Sequence, residues 1–200
     1  MRDQARVKNV SKAFLDALRK GERQALEEFY DRYAPEMLGV ALRYLAHRED
    51  AEDLVQESFI KIINGLPQFN PLFTGAFEVW MKRIVVNGAL NVLREKSKKF
   101  HINGSPNMHD HEEADDLTDN EQQSLQLDPQ TALNMLAELP EGYRTVMNLY
   151  VFENYTHKQI AQALDITENT SKSQLSKARN MMRNKMKHYF NQKQTVENER

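Results

Sequence analysis

Apolar residues recur at three- and four-residue spacing through most of this chain, the pattern of amphipathic helices. Phe14, Leu15 and Leu18 mark one stripe, and Ala25, Leu26, Phe29, Tyr30 and Tyr33 a second. Met37, Val40, Ala41, Tyr44 and Leu45 mark a third, after Pro35. A fourth runs Ala51, Leu54, Val55, Ser58, Phe59, Ile62, Ile63. The stretch "NGLPQFNPLFTGAF" then interrupts the pattern with two Gly and two Pro. A further helix is predicted from about Glu78 to Arg94, with Trp80, Ile84, Val85 and Val92 turned to the core. Helical spacing resumes at Thr131 and continues to about Phe190. No alternating strand pattern and no internal repeat stands out.

Charge divides the chain where periodicity stops. The net charge of −2 conceals blocks of +3 (1–100), −9 (101–140) and +4 (141–200). From about Lys98 to Asp128 the chain has few large apolar residues and dense negative charge. Such a segment cannot bury enough surface to offset chain entropy and reads as a flexible tether. The expected architecture is therefore all-α: two small helical domains joined by a flexible acidic linker, the second carrying a helix-turn-helix. The boundaries read as a first domain over 1–98, the linker over 99–130, a second domain over 131–190 and a frayed tail over 191–200.

Composition narrows the function classes. There are no cysteines, so disulfides and thiolate metal sites are excluded, and a reducing cytoplasm is the expected location. No run approaches the roughly 18 apolar residues that span a bilayer, and the N-terminus has no apolar segment of the signal-peptide kind. Membrane insertion is not expected.

Three stretches carry candidate chemistry. In "QIAQALDITENTSKSQLSKAR", Ile160, Ala161 and Leu164 form the inner face of one short helix and Ile166 plugs a corner. Thr167 can cap the next helix, whose buried side continues through Leu175, Ala178 and Met182. Thr170, Lys172, Ser173, Gln174 and Lys177, with Arg179 beyond, stand where a recognition helix meets base edges and phosphates. Between Lys172 and Lys193 there are seven basic residues and no acidic one, a face that would release counterions from DNA. Two departures stand against this. Asp165 occupies the turn where glycine is usual, although Asp tolerates left-handed geometry better than most residues. Ser171 occupies a position that ordinarily packs a large apolar side chain. A surface helical hairpin with a solvated basic face is the plainer alternative.

The second stretch, "REDAEDLVQESFIKI", sets Asp53, Gln56, Glu57 and Lys61 opposite its apolar stripe. A solvated helix face, a dock for a basic helical partner and a divalent-metal site all fit carboxylates at helical spacing. The metal reading lacks a second acidic helix. In the third, "FEVWMKRIVVNGALNVLREKSKK", Arg83, Asn87, Asn91 and Arg94 step along one face, a set suited to phosphate contacts and base-edge hydrogen bonds. Lys96, Lys98 and Lys99 extend its positive charge.

The order of these blocks is more specific than any one of them. "DAEDLVQESFIKI", a loop, and "FEVWMKRIVVNGALNVLREK" resemble the second conserved region of sigma-70 family RNA polymerase sigma factors. "LAELPEGYRTVMNLYVFENYTHKQIAQALDITENTSKSQLSKAR" is similar to their fourth region. With the linker joining the two directly, the chain resembles the extracytoplasmic-function (ECF) branch. The resemblance implies an alternative sigma factor that binds core RNA polymerase, recognises −35 and −10 promoter elements and promotes initiation without catalysing a reaction. It implies no cofactor, no metal and no catalytic residue. It places Asp53, Gln56 and Glu57 on the β′ clamp, with the β flap as a further contact. It places Asn87 in a pocket for a flipped base of the −10 element, Arg83, Asn91 and Arg94 along the strand backbone, and the loop from Asn70 to Ala76 over −10 specificity. Thr170, Lys172, Ser173, Gln174, Lys177 and Arg179 would face the −35 major groove. The family often has Arg where Gln174 stands, and Gln prefers adenine edges where Arg prefers guanine. The linker resembles one that threads the RNA exit path, and an anti-sigma protein is a further partner that the branch suggests. The alternatives are a free-standing helix-turn-helix regulator and a metal-dependent nucleotide hydrolase using the Asp50 to Glu57 carboxylates.

Overall fold

The computed structural model describes residues 10–101 and 127–198. The chain divides into two compact units, the first ending at residue 102 and the second beginning at 103. Every regular element among the described residues is helical. The stretch 102–126, most of the acidic linker read for 99–130, lies outside the described residues, as do the side chains of Lys98 and Lys99.

The first unit contains α1 (Lys12–Arg19), α2 (Arg23–Tyr44), α3 (Arg48–Gly65), a 3-10 turn (Leu66–Gln68) and α4 (Ala76–His101). Ser11 caps α1, its hydroxyl accepting from the Phe14 amide at 3.1 Å. Gly21 then turns the chain at φ 70°, in the left-handed region that glycine enters without steric cost. Helices α2, α3 and α4 pack against one another pairwise.

The core between them is aromatic at one end. Phe29, Tyr33 and Phe77 meet one another, and Phe59 stands edge-on to Phe29 with centroids 4.9 Å apart. Met81, Val85, Val86, Ala89, Leu90 and Leu93 carry α4 into the same core. Buried Tyr33 donates its hydroxyl to Glu78 at 3.2 Å, tying α2 to the start of α4. Burial first, and the Glu78 carboxylate second, push the Tyr33 phenol pKa up. At the far end of α4, Lys96 pairs with Asp50 at 2.6 Å.

Three expectations change here. The second and third stripes belong to one helix, α2, which passes through Pro35. Pro35 is exposed, so the carbonyl its ring leaves without an amide partner lies on the solvent side. Tyr30 and Ile63, read as stripe residues, are 52% and 36% exposed. Trp80 is half-buried rather than central: it stacks on Phe69 at 4.7 Å and lies against Gly65.

The second unit contains α5 (Pro129–Ala137), α6 (Glu141–Val151), α7 (His157–Leu164) and α8 (Glu168–Asn198). Helix α5 starts two residues before the expected boundary. Asp128 caps it by accepting from the Thr131 amide at 2.9 Å, and Pro129 fits the first turn. Residues 191–198, read as tail, continue α8. No Gly or Pro stands anywhere in Glu168–Asn198 to stop it. Arg144, 5% exposed, closes α5 by donating to the carbonyls of Ala137 at 2.7 Å and Leu139 at 3.1 Å. Leu136, Leu139 and Ala178 form a core shared by α5 and α8, with Tyr143, Met147, Met181 and Met182 around it.

Two helix-interior glycines should respond oppositely to substitution. A methyl at Gly39 meets nothing within 4 Å, so Gly39→Ala is expected to stabilise by up to about 1 kcal/mol through helix propensity. A Cβ at Gly88 would stand 2.5 Å from Leu54 Cδ1, and Leu54 is held in the core. Gly88→Val is expected to destabilise the first unit by roughly 1–3 kcal/mol. Urea unfolding followed by Trp80 fluorescence measures both.

Candidate nucleic-acid and protein interfaces

Helix α3 turns its apolar stripe inward and leaves Asp53, Gln56 and Glu57 exposed. Glu57 pairs with Lys61 one turn on at 3.2 Å, with both side chains more than half exposed. An exposed pair of this kind is worth only about 0.3–0.5 kcal/mol, so it can open for a partner. The same side continues through Ile60, four residues after Gln56, and Ile63, seven after it. Ile60 is 61% exposed. Tyr30 of α2 extends the apolar margin, its ring 4.8 Å from that of Phe59. Ile60 and Tyr30 were not read as part of this surface from sequence. The signal that could have found Ile60 is an isoleucine out of phase with the buried stripe.

On α4, Arg83, Asn87, Asn91 and Arg94 are all exposed and lie along one face, opposite buried Val85, Ala89 and Leu93. Arg94 donates to the Asn91 side-chain oxygen at 2.7 Å, which orders this end of the face. The groove beside the Asn70 to Ala76 loop is a separate feature, because its lining runs from Val10 to Glu78 and includes none of these four residues.

The helix-turn-helix is α7, a three-residue turn and α8. Thr156 and Gln159 form a capping box at the start of α7. Asp165 ends α7 in the left-handed region, at φ 55° and ψ 47°. Its short polar side chain tolerates that conformation, so glycine is not required. Thr167 caps α8 by accepting from the Thr170 amide at 3.0 Å.

Ser171 is fully buried, and its hydroxyl shares a 2.9 Å hydrogen bond with His157 Nδ1. The His157 ring stacks on Tyr150 at 4.8 Å, and the Arg179 guanidinium lies 5.6 Å from the Tyr150 centroid. A serine fits this position because α7 supplies a polar partner and α6 an aromatic plate.

The six residues of α8 read as DNA-facing occupy three sides of the helix. At about 100° per residue, Ser173 and Lys177 stand opposite buried Ser171, Leu175 and Ala178, on an outward side where both are half-buried, whereas Lys172 and Arg179 are exposed. Asn169, Ser176 and Asn180 share that outward side and were not singled out from sequence, since small neutral polar residues carry no charge or periodicity signal. Lys172 and Arg179 lie on the flank toward Tyr150. Thr170 and Gln174 lie on the other flank. The Thr170 hydroxyl is within 2.8 Å of Thr167 Oγ1, and the Gln174 amide rests against Gly142 at the start of α6.

Among the described residues, no three His, Asp or Glu side chains gather to hold a metal ion, so the hydrolase alternative finds no ligand cluster there. No described helix is long and apolar enough to cross a membrane.

Among the described residues every element is helical and the second unit ends in a helix-turn-helix with a basic second helix, a form that helical DNA-binding proteins use. Comparison with known proteins narrows that class. Residues 29–99 match the family model for sigma-70 region 2, and residues 130–182 match that for sigma-70, region 4. The ECF RNA polymerase sigma-E factor of Haemophilus influenzae is 29% identical over 189 residues, covering 88% of this chain and 95% of the relative. The ECF RNA polymerase sigma factor SigW of Bacillus subtilis is 25% identical over 177 residues, covering 85% and 93%. Among solved structures, a chain of CnrH in complex with the cytosolic domain of CnrY aligns with a TM-score of 0.46 and 16% identity, covering 88% of this chain and 96% of that one. The chain belongs to the ECF branch of the sigma-70 family and is an alternative sigma factor for transcription initiation. Membership implies core RNA polymerase and promoter DNA as its partners.

The His157 contact predicts a pH response. Burial first, then Lys172, lower the His157 pKa below its ordinary value, with Glu168 opposing and Arg179 adding. The unfolded chain therefore binds the extra proton more readily than the folded one. Stability from this contact is fully present above the unfolded value of about 6.5 and is lost as pH falls through the lower folded value. Thermal melts are expected to show the second unit weakening below about pH 6.5, with a flatter response in His157→Gln.

Proposed function

We propose that the chain docks on the β′ clamp of core RNA polymerase through Asp53, Gln56 and Glu57, with Ile60, Ile63 and Tyr30 supplying apolar contact beside them. Carboxylates steer a basic helical partner, and the exposed apolar margin adds burial once it is seated. The outward face of α4 then takes the separated −10 strand: Asn87 holds an extruded base while Arg83, Asn91 and Arg94 contact its backbone. Extruding a base costs a few kcal/mol, which these contacts offset on the polymerase. Helix α8 enters the −35 major groove with Ser173 and Lys177 foremost. Thr170 and Gln174 reach bases from one flank, and Lys172 and Arg179 reach phosphates from the other. The β flap provides a contact for the second unit. The protein works in the cytoplasm and catalyses no reaction itself.

The observation that carries this reading is the uninterrupted polar face Arg83–Asn87–Asn91–Arg94, exposed on a helix whose other side is fully committed to the core. Residues kept polar at four successive helical steps suit single-stranded nucleic acid better than a structural role, with exposed Glu95 one turn past Asn91 marking the acidic margin of that face.

Run-off transcription with core polymerase tests the whole: promoter-dependent transcripts are expected with the chain and none without it. Glu57→Lys is expected to weaken core binding at least tenfold, the factor matching loss and reversal of one charge contact, while leaving α8–DNA contacts unchanged. Asn87→Ala is expected to slow −10 opening with core affinity unchanged. Normal transcription in both variants refutes these assignments.

A further inference from the structure

The segment between α3 and α4 is fixed from a distant part of the first unit. Arg19, the last residue of α1, reaches across to the end of the 3-10 turn. Its Nε donates to the Leu66 carbonyl at 3.2 Å and its Nη2 to the Phe69 carbonyl at 2.8 Å. Asp16, one turn earlier, accepts from Nη1 at 2.9 Å and aims the guanidinium. All three nitrogens of the fork are thereby engaged. A planar, permanently charged group with donors in fixed directions can hold two carbonyls three residues apart in a single relative geometry, and a lysine cannot.

What Arg19 holds is the entry to residues 70–75, which belong to no helix. Gly75 leaves that segment at φ 87°, and the Phe73 carbonyl accepts from the Ala76 amide at 3.1 Å. Between these fixed ends, Leu72 and Phe73 are 85% and 60% exposed, two adjacent apolar side chains that the segment's path presents to solvent. A groove of about 460 Å³ separates the segment from α1, with Lys12 and Arg19 on one wall, Asn70 and Phe73 on the other, and Glu78 at its end. The family match begins at residue 29, so Arg19 and all of α1 lie outside it.

We propose that Arg19 is a positioning residue: by clamping the Leu66 and Phe69 carbonyls, α1 sets the path of residues 70–75 and thereby which base of the −10 strand the protein accepts. Arg19 need not touch DNA to do so. This rests on the promoter-binding role proposed above and on the −10 specificity that the resemblance implies for the Asn70 to Ala76 loop. It makes α1 part of the specificity apparatus, adjustable from outside the matched region.

Two measurements on the full chain test it. Hydrogen exchange judges the clamp: in Arg19→Ala, the Phe69 and Ala76 amides, bonded to the Gly65 and Phe73 carbonyls at either end of the segment, are expected to exchange about tenfold faster, as loss of one charge-assisted hydrogen bond implies. Unchanged exchange there overturns the clamp. Transcription by core polymerase from a promoter library randomised at −35 and −10, with transcripts sequenced, judges selectivity. Wild type is expected to enrich a defined −10 sequence, and Arg19→Ala to flatten the preference at one or two −10 positions while the −35 preference and core affinity hold. Arg23→Ala removes the same charge from an exposed site at the start of α2 and is expected to keep the wild-type profile. Equal loss across all templates, or the same flattening in Arg23→Ala, assigns the effect to charge or stability and overturns the proposal. If Arg19→Ala melts below assay temperature, Arg19→Lys carries the test, since it keeps the charge but not the fork; a wild-type profile in that variant also overturns it. A wild-type chain that enriches no sequence fails the promoter reading itself, and the selectivity proposal with it, whatever the exchange data show.

Discussion

Helix α4 presses against α3 at Gly88, where α4 contributes no side chain and that of Leu54 fills the space a Cβ would need. Fully buried Ser58, a small residue one turn after Leu54 on α3, lines the same seam. The proposed polymerase-facing and strand-facing surfaces are the outward sides of these two helices. Because a close seam fixes separation and rotation together, it also fixes the angle at which the acidic side of α3 and the Arg83–Arg94 side of α4 are presented. A looser contact would leave each surface intact and lose their mutual orientation. Simultaneous engagement of protein and nucleic acid requires that orientation.

The second unit reaches rigidity by another route. Its recognition helix is seated partly by polar contacts, Ser171 on His157 and Arg179 over Tyr150, while Arg144 ties α6 to the carbonyls at the end of α5. Polar contacts in a small core specify geometry more sharply than interchangeable aliphatic ones, because a misplaced donor costs its full desolvation. This unit is small and shares its apolar residues among four helices, so directional contacts matter to how α8 is held. The same contacts make it sensitive to protonation, which a purely aliphatic seat would not be.

Much of the fold was legible because helical periodicity is a local signal. The stripes of α3 and α4 can be read directly, and so can the Arg83–Arg94 face, since exposure follows from what the opposite side buries. What escaped depends on partners distant in sequence. Ser171 looks like a packing fault until His157, fourteen residues earlier, is placed beside it. Gln174 and Arg179 look equivalent to Ser173 on a basic helix, yet α6 draws one toward Gly142 and the other over Tyr150. Pro35 reads as a break because the sequence does not say which side of the helix its ring faces. Arg19 carries no signal at all, since its targets are backbone carbonyls and any residue supplies those. The end of α8 is hard to place for a different reason: a polar segment without Gly or Pro has no stop signal, and low hydrophobicity reads as fraying.

The outward side of α8 is built from Asn169, Ser173, Ser176, Lys177 and Asn180, mostly short neutral side chains. A bidentate Arg–guanine pair discriminates by about 1–3 kcal/mol, and single hydroxyl or amide contacts supply less. A free regulator with such a helix would ordinarily compensate by dimerising on two half-sites. The sigma-factor role removes that need. When one chain carries a duplex-facing helix and a strand-facing helix and both are held on the polymerase, the second contact forms at an effective concentration on the order of millimolar. Each surface then has only to choose among sequences, while affinity comes from the assembly. A recognition helix of modest individual strength, with Gln174 where the family often has Arg, is therefore consistent with promoter selection, and the same division of labour leads one to expect weak binding by the isolated unit.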